Sequence, residues 1–426
     1  MCIPYRFHWQ SLLGACLLLA TVEGSGQTLL TFSDALHLAE KHSASLEASR
    51  HGAAAARQAA IAAGQLPDPS LRVGLDNLPV TGPDRLSVTE DFMTMRRLGV
   101  MQEYVSQEKR AARRLVGERE AEREESAALA ERAVIRREVA TAWFDAHIAA
   151  RGLTLIQGLR AEAQLQLDTF HSQVRAGKAP PIDLPMLQAT ALQVDDRVKA
   201  AEADREAGLL SLRRWVGEDV VVAAGGAPDI KMLPTVQLVA EVETPRQRLA
   251  RQLQTSAEAE LALSRLNKRP NWSWEVSYAQ RGPAFSNMVS VGVSVPLPLF
   301  PEQRQERDIA AKHARVAEAA ARAEEVRRAQ QVEVQRLMLQ WQSLLSRHDR
   351  LTEQLLPVSR TRTELALAGY RSGQQSLAQV LSARQAEVET QLQLLEHERE
   401  AARLWAQLAF QYLDSGDQAV NGEMHQ

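Results

Sequence analysis

Two stretches of strict alternation stand out in the second half of the chain. Trp272, Trp274, Val276 and Tyr278 alternate with Ser273, Glu275, Ser277 and Ala279; Val289, Val291, Val293 and Val295 alternate with Ser290, Gly292 and Ser294. A period of two gives a strand one apolar and one polar face. Strands are therefore expected near 271–279 and 288–295, joined by a turn at Arg281-Gly282-Pro283. A fainter pair precedes them. Leu71, Val73 and Leu75 alternate with Arg72, Gly74 and Asp76 within 70–78, and 97–104 is a second candidate. Elsewhere the pattern is helical. Ser33 to Gly64 reads as a helix ended by Pro67 and Pro69, and Thr244 to Lys268 as another. Residues 106–176 contain no Pro, and Gly only at 117, 152 and 158. One helix of that length reaches about 100 Å, which no compact core accommodates, so it belongs to a coiled coil or a tube wall. A further long helix is expected from Gln303 to Tyr370. On it Ile309, Val316, Ala323, Gln330, Leu337, Leu344, Leu351, Val358 and Leu365 share one heptad position, and only Gln330 is polar. A strict seven-residue repeat imposes left-handed supercoiling on neighbouring helices. Pro357 lies inside this run and predicts a kink.

The two halves repeat one another. Arg175, Gly177, Leu184 and Leu212 correspond to Arg371, Gly373, Val380 and Leu408, each 196 positions on; Pro67, Ser70 and Val73 correspond to Pro270, Ser273 and Val276, each 203 on. An internal duplication is the economical reading. It divides the chain into a first repeat over 27–216 with a hairpin tip near 177, a Gly/Pro-punctuated linker or equatorial region over 217–245, a second repeat over 246–414 with a tip near 373, and a tail over 415–426. Residues 1–26 read as a secretory signal: Arg6 is the basic end, Leu12 to Ala20 the short apolar core, and Gly24-Ser25-Gly26 the small residues for cleavage. Both cysteines, Cys2 and Cys16, fall in this leader, so the exported chain has no disulfide framework and no thiolate metal site. Leu13-Gly14-Ala15-Cys16 also resembles a lipobox, which would make Cys16 an acylated N-terminus.

Four strands cannot close a membrane barrel, for which about eight are the minimum. An open sheet with an apolar outer face is unstable in water and in lipid. The expected fold class is therefore mostly α with a small membrane β part. Four strands from each of three copies would make a 12-stranded trimeric barrel, continued by a long α-helical periplasmic tube. Composition narrows the function. Among 426 residues, 50 Lys+Arg against 53 Asp+Glu leave a net charge of −3, which offers nucleic acid no electrostatic purchase. There is no Gly-rich phosphate loop and no Gly-x-Ser-x-Gly elbow, so an enzyme is not expected, nor a cofactor.

Longer motifs carry a family resemblance. Gly292-Val-Ser-Val-Pro-Leu-Pro-Leu-Phe300 before an Ala/Glu/Arg helix, Leu355-Leu-Pro-Val358, Leu365-Ala-Leu-Ala-Gly-Tyr370-Arg-Ser-Gly373 and Leu377-Ala-Gln-Val-Leu381-Ser-Ala-Arg384 resemble the strand-to-helix junction and periplasmic hairpin of the TolC-like outer-membrane efflux factors. The resemblance implies a homotrimer in the bacterial outer membrane that works with a periplasmic adaptor and an inner-membrane pump. Junction and hairpin read most like the heavy-metal branch, serving copper/silver or cobalt/zinc/cadmium pumps, so metal cations are the expected cargo. A drug or organic-solute duct of the same build is the alternative within the class, and a periplasmic coiled-coil structural protein the alternative outside it.

Several residues are candidates for that work. Asp91-Phe92-Met93-Thr94-Met95, with Met101 nearby, sets soft thioethers beside a carboxylate, and thioethers suit Cu(I) or Ag(I). If the segment is extended, Met93 and Met95 face one side; apolar anchoring of a loop is the plainer role. The histidines are scattered, without metal-site spacing. Lys109, Arg110, Arg113 and Arg114 form a basic cluster that suits either a lipid-headgroup rim or a solvated helix turn, and Trp272 and Trp274 suit an aromatic belt or packing against a neighbouring strand. In the TolC-like family, aspartates on the second hairpin narrow the periplasmic entrance. Here Gln379 and Ser382 stand at the matching positions, and Asp183, the duplicate partner of Gln379, could supply a ring of three carboxylates, or else a helix start after Pro180-Pro181. Gly177 and Gly373 are expected to permit the hairpin turns.

Overall fold

The computed structural model describes residues 28–178, 180–217, 220–222, 226–233 and 243–412. The leader with its two cysteines and the tail over 415–426 lie outside these. The first strand, β1 (Thr28–Leu30), leads into α1 (Phe32–His42) and α2 (Ala44–Ala63). These two helices replace the single helix expected to Gly64. The break falls at Ser43, whose extended backbone ends α1 while its hydroxyl caps α2 by accepting from Leu46 N. The hairpin β2 (Ser70–Asp76) and β3 (Met95–Tyr104) follows, then the 69-residue α3 (Gln107–Arg175) and the return helix α4 (Leu184–Val216). Asn77, with φ of 55°, stops β2 short of the predicted 78. After β4 (Val220–Val222) the plan repeats: α5 (Pro245–Leu266), hairpin β5 (Trp272–Gln280) and β6 (Met288–Ser294), outgoing helices α6 (Gln305–Arg350) and α7 (Leu356–Arg371), and return helix α8 (Leu377–Ala406). Among the described residues no helix is long and apolar enough to cross a membrane.

The core lies at the waist. Phe32, Trp143, Phe144, Trp405 and Phe410 form a cluster of edge-on and tilted rings with centroids 5.4–6.3 Å apart, geometry that suits the quadrupole of aromatic rings. Buried indoles keep a polar N–H that needs a partner. Trp341 donates to the Ile230 carbonyl at 3.1 Å, and Trp405 to that of Met232 at 2.9 Å. Trp143 reaches the Leu30 carbonyl at 3.5 Å. Part of the Gly/Pro-punctuated region over 217–245 is thus tied down, and β1 pairs with β4 in parallel, with Thr28 opposite Val220. Nearby, Glu40 is clasped by Arg132 and Arg136; burial works against its charge, but the two guanidiniums outweigh that and hold its carboxyl below the usual range.

Where α6 meets Pro357 the helix does not simply kink. Residues Leu351–Leu355 form a π-helical turn that joins α6 to α7. Proline lacks the N–H for an i→i−4 bond and its ring crowds the carbonyl four residues back, and a wider turn relieves both. A π turn inserts one residue and rotates the face that follows. The heptad therefore holds through Gln330, Leu337 and Leu344, all buried, but fails beyond the turn: Val358 and Leu365 are 65% and 66% exposed, while Leu356 and Ala366 are buried.

Helices α2 and α3 cross closely enough that a Cβ on Gly117 would sit 2.6 Å from Ala60 Cα. Helix propensity alone favours Gly117→Ala by about 1 kcal/mol. We expect the substitution instead to destabilise by about 1–3 kcal/mol, because it overpacks the crossing. A lower thermal midpoint by circular dichroism in detergent is the expected result; an unchanged or raised one would show that α2 yields freely.

Candidate channel wall and periplasmic tip

The four hairpin strands make one antiparallel sheet in the order β2-β3-β5-β6. In register Leu71, Val100, Val276 and Val291 form one row, and Val73, Leu98, Tyr278 and Val289 the next. Every one of these apolar side chains is exposed, from 41% for Val100 and Val276 to 76% for Val73. The opposite face carries Ser70, Arg72, Gly74, Asp76, Met95, Arg97, Gly99, Met101, Glu103, Ser273, Glu275, Ser277, Ala279, Met288, Ser290, Gly292 and Ser294. Arg97 pairs with Asp76 at 2.7 Å and Arg72 with Glu275 at 3.2 Å, while Glu103 accepts from Asn271. The outer edges of β2 and β6 have no strand partner among the described residues. At the helix end of the sheet Tyr104 and Trp272 lie 5.0 Å apart on the apolar face, with Trp274 beside them. The Tyr104–Trp272 contact is packing across neighbouring strands, one of the two roles expected for Trp272.

The sheet is joined to the helices by a buried lysine. Lys109 is 4% exposed, and its Nζ donates to the Arg269 carbonyl at 2.7 Å and to Asn271 Oδ1 at 2.8 Å. Asn271 in turn donates to Glu103 at 2.7 Å. Burial, with a smaller contribution from Arg113, pushes the ammonium pKa down. Lys109 therefore belongs neither to a headgroup rim nor to a solvated turn. Nothing in its sequence context signals this, because its partners come from residues 160 and 162 positions away.

Met95 opens β3 directly across from Asp76, whereas Met93 lies in the turn before it. The Asp91 carboxylate holds that turn by accepting from Met93 N at 2.8 Å and Thr94 N at 3.1 Å. Strand alternation thus does not extend back to Met93. Among the described residues no group of three or more His, Cys, Asp or Glu is arranged to hold a metal.

At the far end both hairpins turn on a left-handed glycine, Gly177 at φ 68° and Gly373 at φ 76°, a conformation that side chains resist. Phe170 of α3, Leu187 of α4 and Leu381 of α8 pack together there. Tyr370 accepts from Gln173 at 2.9 Å, and Arg384 grips Glu162 of α3 through two nitrogens at 2.9 and 3.0 Å while reaching Glu387 at 2.8 Å. Asp183 stands at the start of α4 with its side chain exposed and making no cap hydrogen bond. Gln379 instead closes a capping box with Ser376. Gln379 and Ser382 also line an open groove of about 620 Å³ with Val358 and Leu365.

The comparisons with known proteins agree with this geometry. Solved structures match over nearly the whole chain: CusC at 16% identity, covering 89% of this chain and 92% of that one with a TM-score of 0.73; the outer membrane protein VceC from Vibrio cholerae at 17%, covering 91% and 95% with 0.71; and the CmeC outer membrane channel of Campylobacter jejuni at 13%, covering 92% and 89% with 0.73. The chain has the fold of the outer-membrane efflux channels. Residues 231–411 also match the family model described as outer membrane efflux protein. No curated protein matches the chain by sequence.

These contacts join the two hairpin tips, the entrance of the channel proposed below. Arg384→Ala removes the grip on Glu162 and leaves the buried Glu387 with only Arg360, 3.9 Å away. Removing one partner of a buried ion pair costs about 3–5 kcal/mol when no other remains, and less here because Arg360 stays nearby. We expect a higher single-channel conductance in planar bilayers; conductance equal to the wild type would show that packing alone holds the tip.

Proposed function

We propose that this protein is the outer-membrane duct of a tripartite efflux system, that three copies close a 12-stranded barrel, and that heavy-metal cations pass through it without chemistry. The observation that carries the reading is the open sheet, exposed and apolar on one face, polar with two arginine–carboxylate pairs on the other, and unpaired at both edges among the described residues. In lipid each strand edge needs a backbone partner, and β6 of one copy beside β2 of the next supplies it. The apolar rows then face acyl chains and the Ser, Gly, Arg and Glu face lines the lumen. The helical hairpins, about 100 Å long, reach across the periplasm to an adaptor and an inner-membrane pump. The pump, rather than the duct, supplies energy and most of the selectivity.

The cargo assignment rests on the metal-branch likeness of the junction and hairpin. Growth of a deletion strain, with and without the restored gene, tests it across Cu, Ag, Zn, Co, Cd and several drugs. Sensitivity to metals alone, rescued by the gene, is expected. Sensitivity to drugs alone would keep the duct and overturn the cargo.

Asp183 has the free carboxylate that Gln379 lacks, and three copies would place three such groups around the entrance. Asp183→Asn is expected to lower cation selectivity and weaken block by divalent cations in planar bilayers. Unchanged conductance and block would remove the carboxylate ring from the account.

A further inference from the structure

Three methionines lie within the strands of the sheet, Met95 and Met101 on β3 and Met288 on β6. Register assigns each to a face. Met101 is opposite Ser70 and Glu275, Met95 opposite Asp76, and Met288 opposite Ala279. All three are on the polar face, and none is among the Leu, Val, Trp and Tyr rows. Lipid or core burial would put a thioether on the other side, where apolar area is stabilised. Met288 is 44% exposed on a face otherwise built of Ser, Gly, Ala and charged residues. Packing into the apolar rows does not account for this placement, although Met95 and Met101 are half-buried on the polar face itself.

Each β3 methionine has a carboxylate directly across the strand pair, Asp76 for Met95 and Glu275 for Met101. Both carboxylates are already balanced by arginines on the same face. Those two carboxylates therefore offer a hard divalent cation little net attraction, and polarizable sulfur is the donor that distinguishes the sites beside them. Thioethers favour soft ions.

We propose that Met95, Met101 and Met288 form a thioether-lined transit site for soft monovalent cations, Cu(I) or Ag(I), along the lumen of the barrel. The inference rests on the duct reading above and deepens it. With three copies the lumen carries three such sets, spaced along and around the wall rather than gathered at one centre. That spacing favours brief capture and release over retention.

The test is Ag(I) block of single channels in potassium nitrate, which avoids silver precipitation. Met95→Leu/Met101→Leu/Met288→Leu keeps side-chain volume and apolarity. Ag(I) is expected to reduce wild-type current, and the triple variant to need at least about tenfold more Ag(I) for half-block, with conductance in nitrate alone and the response to Zn(II) unchanged. Met288→Leu by itself, on the edge strand, is expected to give part of that shift and serves if the triple variant fails to assemble. Channels that conduct but show the same half-block in wild type and variants would overturn the thioether site while leaving the duct intact. Wild-type protein that forms no channels would overturn both.

Discussion

Backbone pairing at the edges of a four-stranded sheet is the constraint on which this structure depends. The sheet has an apolar face too exposed for water, and its edge strands β2 and β6 have unpaired outer sides among the described residues. Acyl chains suit the apolar face, but the open edges cannot persist in a bilayer, where an unsatisfied peptide group costs several kcal/mol. In the proposed assembly further copies pair those edges and turn the polar face inward. The Arg97–Asp76 and Arg72–Glu275 pairs would then line the aqueous path.

The rest of the chain keeps that sheet in place and prolongs it. Lys109 spans the junction, its ammonium held between the Arg269 carbonyl and Asn271, so the first turn of α3 cannot drift from the start of β5. At the waist, tryptophan indoles bind carbonyls of Leu30, Ile230 and Met232 and anchor the non-helical segments to the helical bundle. At the tip, the Arg384–Glu162 pair and the Phe170–Leu187–Leu381 contact tie one hairpin to the other. Each joint pairs a polar lock with apolar packing.

Much of this was legible in the residues. Strands β5 and β6 and the length of α3 followed from alternation and from the scarcity of Pro and Gly, because both patterns are set locally by backbone geometry. Gly177 and Gly373 were legible for the same reason. What escaped depends on contacts distant in sequence. The burial of Lys109 and the sheet order join segments from different repeats, and the parallel pairing of β1 with β4 joins the first repeat to the linker. The heptad misled beyond Leu351 because Val358 and Leu365 are apolar without being buried in the protomer, the π turn having rotated them outward. In the proposed trimer such a face would meet a neighbouring helix. The sequence placed Met93 beside Met95, but the Asp91 turn separated them, while register brought Met101 and Met288 onto the face that Met95 occupies.

Copy number in the membrane-extracted state tests the central claim most directly. Native mass spectrometry of the detergent-solubilised chain, released gently from its micelle, counts the copies that complete the sheet. The account predicts three copies as the dominant species, with trimers separating only on heating. A folded monomer with stable, protected amides along the outer edges of β2 and β6 would contradict it.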